Sequence, residues 1–220
     1  MYFRMLHDEA DGGLSYLLAD LGSAEAVLID PRAADVPVLS AMLAEHGLRL
    51  RWLLRTHEHD DRLPGELPAL AALGAPRIEH RAPAGGRLCF GPEQLQVLAT
   101  PGHTAGCLSF LWRDRLFCGG LLSADACPWQ PTPALPEALW DSATRQVFTL
   151  PVETLLFSAH SRQARAVSTV LEMRRWHPWF AGASRDEFLT RMRRLPSASA
   201  GPGGAAAPTP LPLNPRQQPS

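Results

Sequence analysis

Apolar runs of strand length occur in both halves of the chain and alternate with amphipathic stretches of helix length. Short runs bounded by turn residues predict buried strands, and apolar residues at helical spacing predict helices. The predicted strands are 14–19, 26–30, 51–55, 77–80, 88–90, 95–99, 107–112, 116–118 and 154–157. The predicted helices are 35–45, 65–73, 136–147, 164–176 and 185–194. This pattern predicts an α/β fold in which two sheets pack together and helices cover them.

Length and composition favour one globular domain. The chain has 220 residues, of which 45% are hydrophobic and 20% charged, so it can bury a core. Residues 1–196 form the predicted domain, and residues 197–220 predict a disordered tail rich in Pro, Ala and Gly. At a formal net charge of -1, the chain lacks the positive field that attracts nucleic acid or an anionic membrane. We therefore expect neither as a partner.

The cysteines and the apolar stretches bear on the compartment. The four cysteines form no C-x-x-C pair and are too sparse for a disulfide scaffold, so we expect free thiols in a reducing compartment. Cys127 is a candidate for bordering the expected pocket, and a small apolar filler is favoured over a reactive thiol. Residues 1–9 contain no continuous apolar signal-peptide core, and no later stretch approaches the length of a membrane span. These features predict a soluble, cytoplasmic protein.

Histidines follow three of the predicted strands at the point where each strand ends. His57 and His59 come after the third strand, within the run Thr56-His-Glu-His-Asp-Asp61. His103 follows the sixth strand and His160 the ninth. Imidazole is a common ligand of zinc, iron, copper and nickel, so histidines at one rim of a sheet predict a mononuclear metal site without naming the metal. The alternative is a solvated polar loop that carries histidines by chance.

Asp30 ends the second predicted strand, close to this expected site. A carboxylate in such a place accepts hydrogen bonds from groups that orient a ligand. A role as a cap of its own strand explains the residue equally well.

The histidine run carries a family resemblance. Residues 56–62, T-H-E-H-D-D-R, resemble the T-H-x-H-x-D-H signature of the metallo-β-lactamase superfamily. Further segments resemble its glyoxalase II-related branch, which contains the persulfide dioxygenases; they are 26–31, 100–106, 147–151, 159–160 and 167–170. The resemblance extends over about residues 14–195. It implies an αββα metallo-β-lactamase sandwich with the metal at one edge of the two sheets, a fold that is compatible with a homodimer.

The resemblance also implies roles for individual residues. His57, His59 and His103 match the three histidines of the family's first metal site. Asp61 and His160 match two positions of the second site. If the metal is zinc, Asp61 is the implied catalytic base or water-orienting group.

Two family ligands are replaced in this chain. Arg62 stands where the signature ends in histidine, and Gly120 stands where the family has its bridging aspartate. A guanidinium does not replace an imidazole ligand, and glycine has no side chain. We therefore predict one divalent metal ion, iron or zinc, and no second metal.

The expected substrate pocket departs from the family as well. The run Ala126-Cys-Pro-Trp129 replaces the Gly-Cys-Gly-Arg of the persulfide branch, and Ser161-Arg162 replaces its Asp-Tyr. These changes weaken the expectation that the substrate is a glutathione derivative. Arg62 and Arg162 are candidates for meeting an anionic ligand, although solvated surface arginines explain them equally well.

The resemblance implies two reactions and leaves one rival. With iron, the family oxidises a low-molecular-weight persulfide, typically of glutathione, with dioxygen, and with zinc it hydrolyses a thioester. Both imply a small-molecule, thiol-derived substrate. The rival is a catalytically inactive protein of this fold with a binding or regulatory role, which the replacements at Arg62 and Gly120 favour.

Overall fold

The computed structural model describes residues 1–58, 66–75, 77–78, 85–123, 126–161 and 166–195. The strands are β1 (Tyr2–His7), β2 (Leu14–Asp20), β3 (Glu25–Ile29), β4 (Arg49–Leu54), β5 (Arg77–Ile78), β6 (Arg87–Phe90), β7 (Glu93–Ala99), β8 (Leu108–Trp112), β9 (Arg115–Gly119), β10 (Leu155–Ser158) and β11 (Val167–Thr169). The helices are α1 (Val36–Glu45), α2 (Glu66–Ala71), α3 (Pro136–Ser142), α4 (Val170–Trp176) and α5 (Arg185–Arg194). A 3-10 turn precedes α1, and α3 continues as a π-helical turn, Ala143–Val147.

The strands form two sheets. The first has the order β1-β2-β3-β4-β5, with antiparallel pairing up to β3 and parallel pairing beyond it. The second has the order β11-β10-β9-β8-β7-β6, in which β9 and β10 form the parallel pair. The first part of the described chain therefore builds one sheet, and all six strands of the second sheet follow it in sequence.

Three apolar clusters stack the elements into four layers. Between the sheets, side chains such as Tyr16 of β2 and Phe117 of β9 pack together, with ring centroids 5.0 Å apart. Leu28 of β3 packs on the outer side of the first sheet with Leu39 of α1. On the outer side of the second sheet, Leu116 packs with residues of α3, α4 and α5. The fold is thus an αββα sandwich, as the sequence predicts.

Most predicted elements lie within two residues of the observed ones, but two edge strands differ. The sequence assigns no element to residues 2–7, which form β1 against β2. The helix predicted for 164–176 is wrong in its described first part, since Val167–Thr169 is β11 and pairs with β10. Thr169 is extended and its side chain accepts a hydrogen bond from the Glu172 N–H, so the helix begins only at Val170.

Some predictions fall outside the described residues. They are the tail at 197–220, the end of the strand at 77–80 and the first residues of the helix at 164–176. Within the described ranges, no helix combines the length and the hydropathy that crossing a bilayer requires.

Candidate metal centre

Three histidines from different strand ends meet at the rim where the two sheets adjoin. His57 follows β4 of the first sheet, whereas His103 follows β7 and His160 follows β10 of the second. The ring centroid of His57 lies 4.9 Å from that of His103 and 5.2 Å from that of His160. All three are buried, with exposed fractions of 6%, 0% and 6%. The expected convergence is therefore observed, and the role of these residues as ligands stays a prediction.

The remaining residues of the predicted site fall outside the described ranges. They are His59 and Asp61, together with the replacement at Arg62 and the Arg162 side chain. Their roles stay predictions.

A carboxylate and a hydroxyl fix the orientation of the His57 ring. Asp30 accepts hydrogen bonds from the Thr56 N–H and from the Thr56 hydroxyl, both at 2.7 Å. The same hydroxyl oxygen lies 2.8 Å from Nδ1 of His57. A hydroxyl has a single proton, so it accepts from an Nδ1–H, which leaves the lone pair of the ring on Nε2. The Asp30 carboxylate thus orients the site through Thr56, as the first of its two sequence interpretations predicts.

The lone pair on His57 Nε2 faces another histidine. Nε2 of His57 lies 3.1 Å from Nε2 of His160. Two nitrogens on one tetrahedral zinc lie about 3.3 Å apart, given bond lengths of about 2.0–2.1 Å. The separation of these two nitrogens therefore fits shared ligation of one ion.

Two consecutive glycines let the rings approach the second sheet. Gly119 has a φ of 57°, and a Cβ there would lie 2.4 Å from the Thr56 hydroxyl oxygen. A Cβ on Gly120 would lie 2.2 Å from Cδ2 of His103. The ring of His103 thus occupies the space that an aspartate at position 120 would need. The observed position of the His103 ring therefore requires a residue without a Cβ at position 120.

The turn that carries His103 is fastened to the loop before α3. The carbonyl oxygen of His103 accepts from the Ala134 N–H at 3.0 Å, and that of Gly102 accepts from the Leu135 N–H at 2.9 Å. The Ser142 hydroxyl of α3 donates to the Pro101 carbonyl at 2.7 Å. His103 is held rigidly because its backbone is bonded on both sides of the ring.

The turn between β1 and β2 holds His160. The Ser161 N–H donates to the Gly12 carbonyl at 2.8 Å, and the Leu14 N–H donates to the Ala159 carbonyl at 2.9 Å. Gly12 has a φ of 73°, and a Cβ there would lie 2.5 Å from the Ser161 carbonyl oxygen. His103 and His160 are therefore held by backbone contacts from another part of the fold, whereas the His57 ring is oriented by side chains.

Cys127 lies in this cluster, whereas the sequence analysis places it at the border of the pocket and favours a small apolar filler. Its Sγ and one ring nitrogen each of His57 and His160 lie within 4.8 Å of one another. Cys127 has an exposed fraction of 0%. The signal available in the sequence was that this cysteine alone survives from the Gly-Cys-Gly-Arg run.

The other three cysteines lie in different surroundings. Burial raises the pKa of the Cys118 thiol to about 12. Burial also raises the pKa of Cys107, although hydrogen bonds from Thr104 oppose this shift. Cys89 is exposed. Cys118 and Cys107 are therefore protonated at neutral pH and serve as small core residues.

A partly exposed aromatic side chain lies against the cluster beside His160. The ring centroid of Trp129 lies 5.7 Å from that of His160, and Trp129 is 41% exposed. The branch that this chain resembles carries an arginine at the corresponding position of the Gly-Cys-Gly-Arg run. The side chain beside His160 is thus aromatic where the branch has a cation.

The described donors fit one divalent cation. Imidazole nitrogens and a thiol sulfur are ligands of zinc and, for imidazole, of iron as well. They are buried and are held at the edge of a rigid sandwich, as a metal centre requires. We identify this rim as the candidate metal centre.

The chain is similar to characterised proteins over most of its length. It is 32% identical to human mitochondrial persulfide dioxygenase ETHE1 over 205 residues, 87% of this chain and 80% of that protein. It is 34% identical to the hydroxyacylglutathione hydrolase of Fuscovulum blasticum over 197 residues, 82% of this chain and 74% of that protein. The crystal structure of ETHE1 from Myxococcus xanthus matches with a TM-score of 0.79 and 34% identity over 89% of this chain and 92% of that one. No protein-family model matches the chain.

Proposed function

Since the chain belongs to the metallo-β-lactamase superfamily, in the branch of persulfide dioxygenases and hydroxyacylglutathione hydrolases, we propose that it is a mononuclear metal-dependent enzyme. Its substrate is a small thiol-derived molecule. The observation that carries the proposal is the meeting of His57, His103 and His160 at one buried rim.

The ligands proposed for the ion are centred on His57. Its Nε2 lone pair faces the cluster because the Thr56 hydroxyl holds the proton on Nδ1. His103 and His59 complete the set that the family resemblance implies. When bound, such an ion supplies Lewis-acid activation of water or, in the case of iron, redox chemistry with dioxygen.

One ion is proposed, since the second family site has lost two of its ligands. Gly120 has no side-chain oxygen, and the ring of His103 fills the space where its side chain would lie. Arg62 brings a positive charge in place of an imidazole. His160 is thereby available to the same ion as His57.

Persulfide oxidation is the first candidate reaction. Its support is the extent of the similarity, which covers 80% of human persulfide dioxygenase ETHE1. In this reaction, the residues of the chain bind the sulfur end of the substrate, orient it at the rim and limit the entry of water. The buried histidines suit this task because little solvent reaches them.

Thioester hydrolysis is the second candidate, and Cys127 is the observation that favours it. A sulfur beside two imidazoles is a donor set that suits zinc, which has no redox chemistry. In this reaction, Asp61 is the proposed base that takes the proton from the attacking water.

The aromatic side chain beside His160 bears on the choice of substrate. Trp129 lies against His160 and presents an apolar face with an N–H at its edge. Such a side chain suits an uncharged or weakly charged thiol derivative better than the charged glutathione moiety. We propose that a smaller thiol derivative is turned over faster than the glutathione form.

The setting of the enzyme is also a proposal. The four cysteines are not in disulfides, which agrees with a cytoplasmic location. The balanced net charge of -1 agrees with the absence of nucleic acid and membrane partners. A homodimer is compatible with these features.

The test combines metal content with two assays. The purified full chain is analysed for iron and zinc, and is then assayed for dioxygen uptake with glutathione persulfide and for hydrolysis of lactoylglutathione. His57→Ala should lose both metal and activity, whereas His46→Ala, at an exposed residue on the end of α1, should keep both.

Each outcome decides between the candidates. Iron with dioxygen uptake supports persulfide oxidation, and zinc with hydrolysis supports the thioesterase. Metal without either activity indicates the non-catalytic alternative, and a protein that binds no metal overturns the proposal.

A further inference from the structure

Three buried donor atoms from three separate parts of the chain meet at the rim. They are Sγ of Cys127 and one ring nitrogen each of His57 and His160, all within 4.8 Å of one another. Their residues have exposed fractions of 0%, 6% and 6%. This set differs from the one that the family resemblance implies, which has three imidazoles and no sulfur.

We propose that Cys127 is a thiolate ligand of the ion and binds it together with His57 and His160. This inference rests on the metal dependence proposed above. It changes the donor set from imidazoles alone to two imidazoles and one sulfur.

The distances suit this assignment. In tetrahedral zinc sites, nitrogen and sulfur ligands lie about 3.6 Å apart, given bond lengths of about 2.0–2.1 Å and 2.3 Å. The two Nε2 atoms are 3.1 Å apart and already lie at ligand spacing. Since no pair in the cluster exceeds 4.8 Å, a movement of the sulfur by about 1 Å completes the site.

The backbone around Cys127 restricts where the sulfur lies. The Ala126 N–H donates to the Ser123 carbonyl at 2.9 Å, which closes the turn just before the cysteine. After it, the side chain of Gln130 donates to the carbonyl of His103. The segment that carries Cys127 is therefore bonded to the turn that carries His103.

Charge also favours the assignment. A buried thiolate without a cation is costly, which is why burial keeps the Cys118 thiol protonated. A divalent ion deprotonates a coordinating thiol. Two neutral imidazoles and one thiolate leave one positive charge on the site, which suits an anionic nucleophile or substrate group.

The assignment predicts a metal preference. Thiolate ligands favour zinc over ions that prefer oxygen and nitrogen, and zinc exceeds iron(II) in affinity for a given site of this kind. The purified protein should therefore hold zinc more tightly than iron(II). Removal of the Cys127 sulfur should bring the zinc and iron(II) affinities closer together.

Cobalt(II) reports directly on a sulfur ligand. When the full chain is stripped of metal and loaded with cobalt(II), the wild type should show a sulfur-to-cobalt charge-transfer band in the near ultraviolet. Cys127→Ser should lose the band. Its zinc affinity should fall at least about 100-fold, because removing a ligand costs more than removing a group that only hydrogen-bonds to a ligand. Cys118→Ser is the matched control, because Cys118 is equally buried but lies in the core between β9 and α3.

The outcomes separate this inference from the proposed function. A band that Cys127→Ser alone removes supports the inference. Cobalt binding without a charge-transfer band overturns it and leaves the metal dependence standing, whereas no cobalt, zinc or iron binding overturns both. If Cys127→Ser does not fold, X-ray absorption at the zinc edge of the wild type decides, since the inference requires one sulfur at about 2.3 Å.

Discussion

The contact between Gly120 and His103 gives a steric prediction with a magnitude. An alanine Cβ at position 120 would lie 2.2 Å from Cδ2 of His103 and 2.7 Å from two further ring atoms, where ordinary contact begins at 3.4 Å. The ring must therefore move by about 1.2 Å. His103 is fully buried, so the movement disturbs packed neighbours. Overpacking of this kind costs about 1–3 kcal/mol.

Thermal unfolding measures this cost. For a domain of this size, about 1 kcal/mol corresponds to roughly 2–4 °C in melting temperature, so Gly120→Ala should lower it by about 2–12 °C. Gly22→Ala is the control, because a Cβ at that exposed position meets one atom alone, Oδ2 of Asp20 at 3.5 Å. Its effect should stay within about 0.5 kcal/mol.

Metal affinity gives a second readout of the same variant. If His103 is a ligand, displacement of its ring weakens zinc or iron binding in Gly120→Ala and not in Gly22→Ala. Equal stability of the two variants would show that the His103 ring does not lie over Gly120, and the account of the missing aspartate would be refuted.

Three further predictions concern single groups. Thr56→Val removes the hydroxyl that orients His57, so the free energy of unfolding should fall by about 1–3 kcal/mol and the metal affinity by about 10–100-fold. Thr56→Ser keeps the hydroxyl and should retain both. Denaturant titration measures the stability, and chelator competition measures the metal affinity. Of the four thiols, Cys89 alone is exposed, so a thiol reagent should modify one group rapidly in the native protein and four after denaturation; two rapid native thiols would contradict the burial. The Arg113 hydrogen bond lowers the pKa of Glu93 from its ordinary 4.5, so this stabilisation is complete above pH 4.5 and is lost as pH falls through the folded-state pKa. Unfolding of Glu93→Gln across this range should show a shallower acid dependence than the wild type, and identical slopes would refute the assignment.

The sequence predicts the central strands and the meeting of the histidines well. β2 and β3 are buried along almost their whole length because both of their faces are covered, by the second sheet and by α1, whereas β4 is fully buried only at its end, Leu53 and Leu54. Each run ends in a polar residue or a turn, so His57, His103 and His160 fall at strand ends and the rim follows from the topology.

The edge strands are harder to predict. β1 carries several half-exposed or exposed side chains, so its sequence lacks a buried run. β11 is three residues long and continues directly into α4, so Val167 and Thr169 were assigned to the helix. Both strands depend on pairing with a distant strand, and a single local pattern does not encode such pairing.

The position of Cys127 beside His57 and His160 is hard to predict for a related reason. The cysteine lies far from any histidine in sequence, and only the packing of its loop against the His103 turn brings its sulfur to His57 and His160. The resemblance identifies Gly120 and Arg62 as the positions where family ligands are lost. It gave no reason to seek a replacement donor a few residues beyond Gly120.

The proposed function requires one metal ion bound at His57. Anomalous diffraction from crystals of the purified protein, recorded on both sides of the zinc and iron edges, tests it directly. We expect a single anomalous peak within about 2.0–2.2 Å of Nε2 of His57, on the side that faces His160. A peak on another group of residues, or two peaks at the rim, would contradict it.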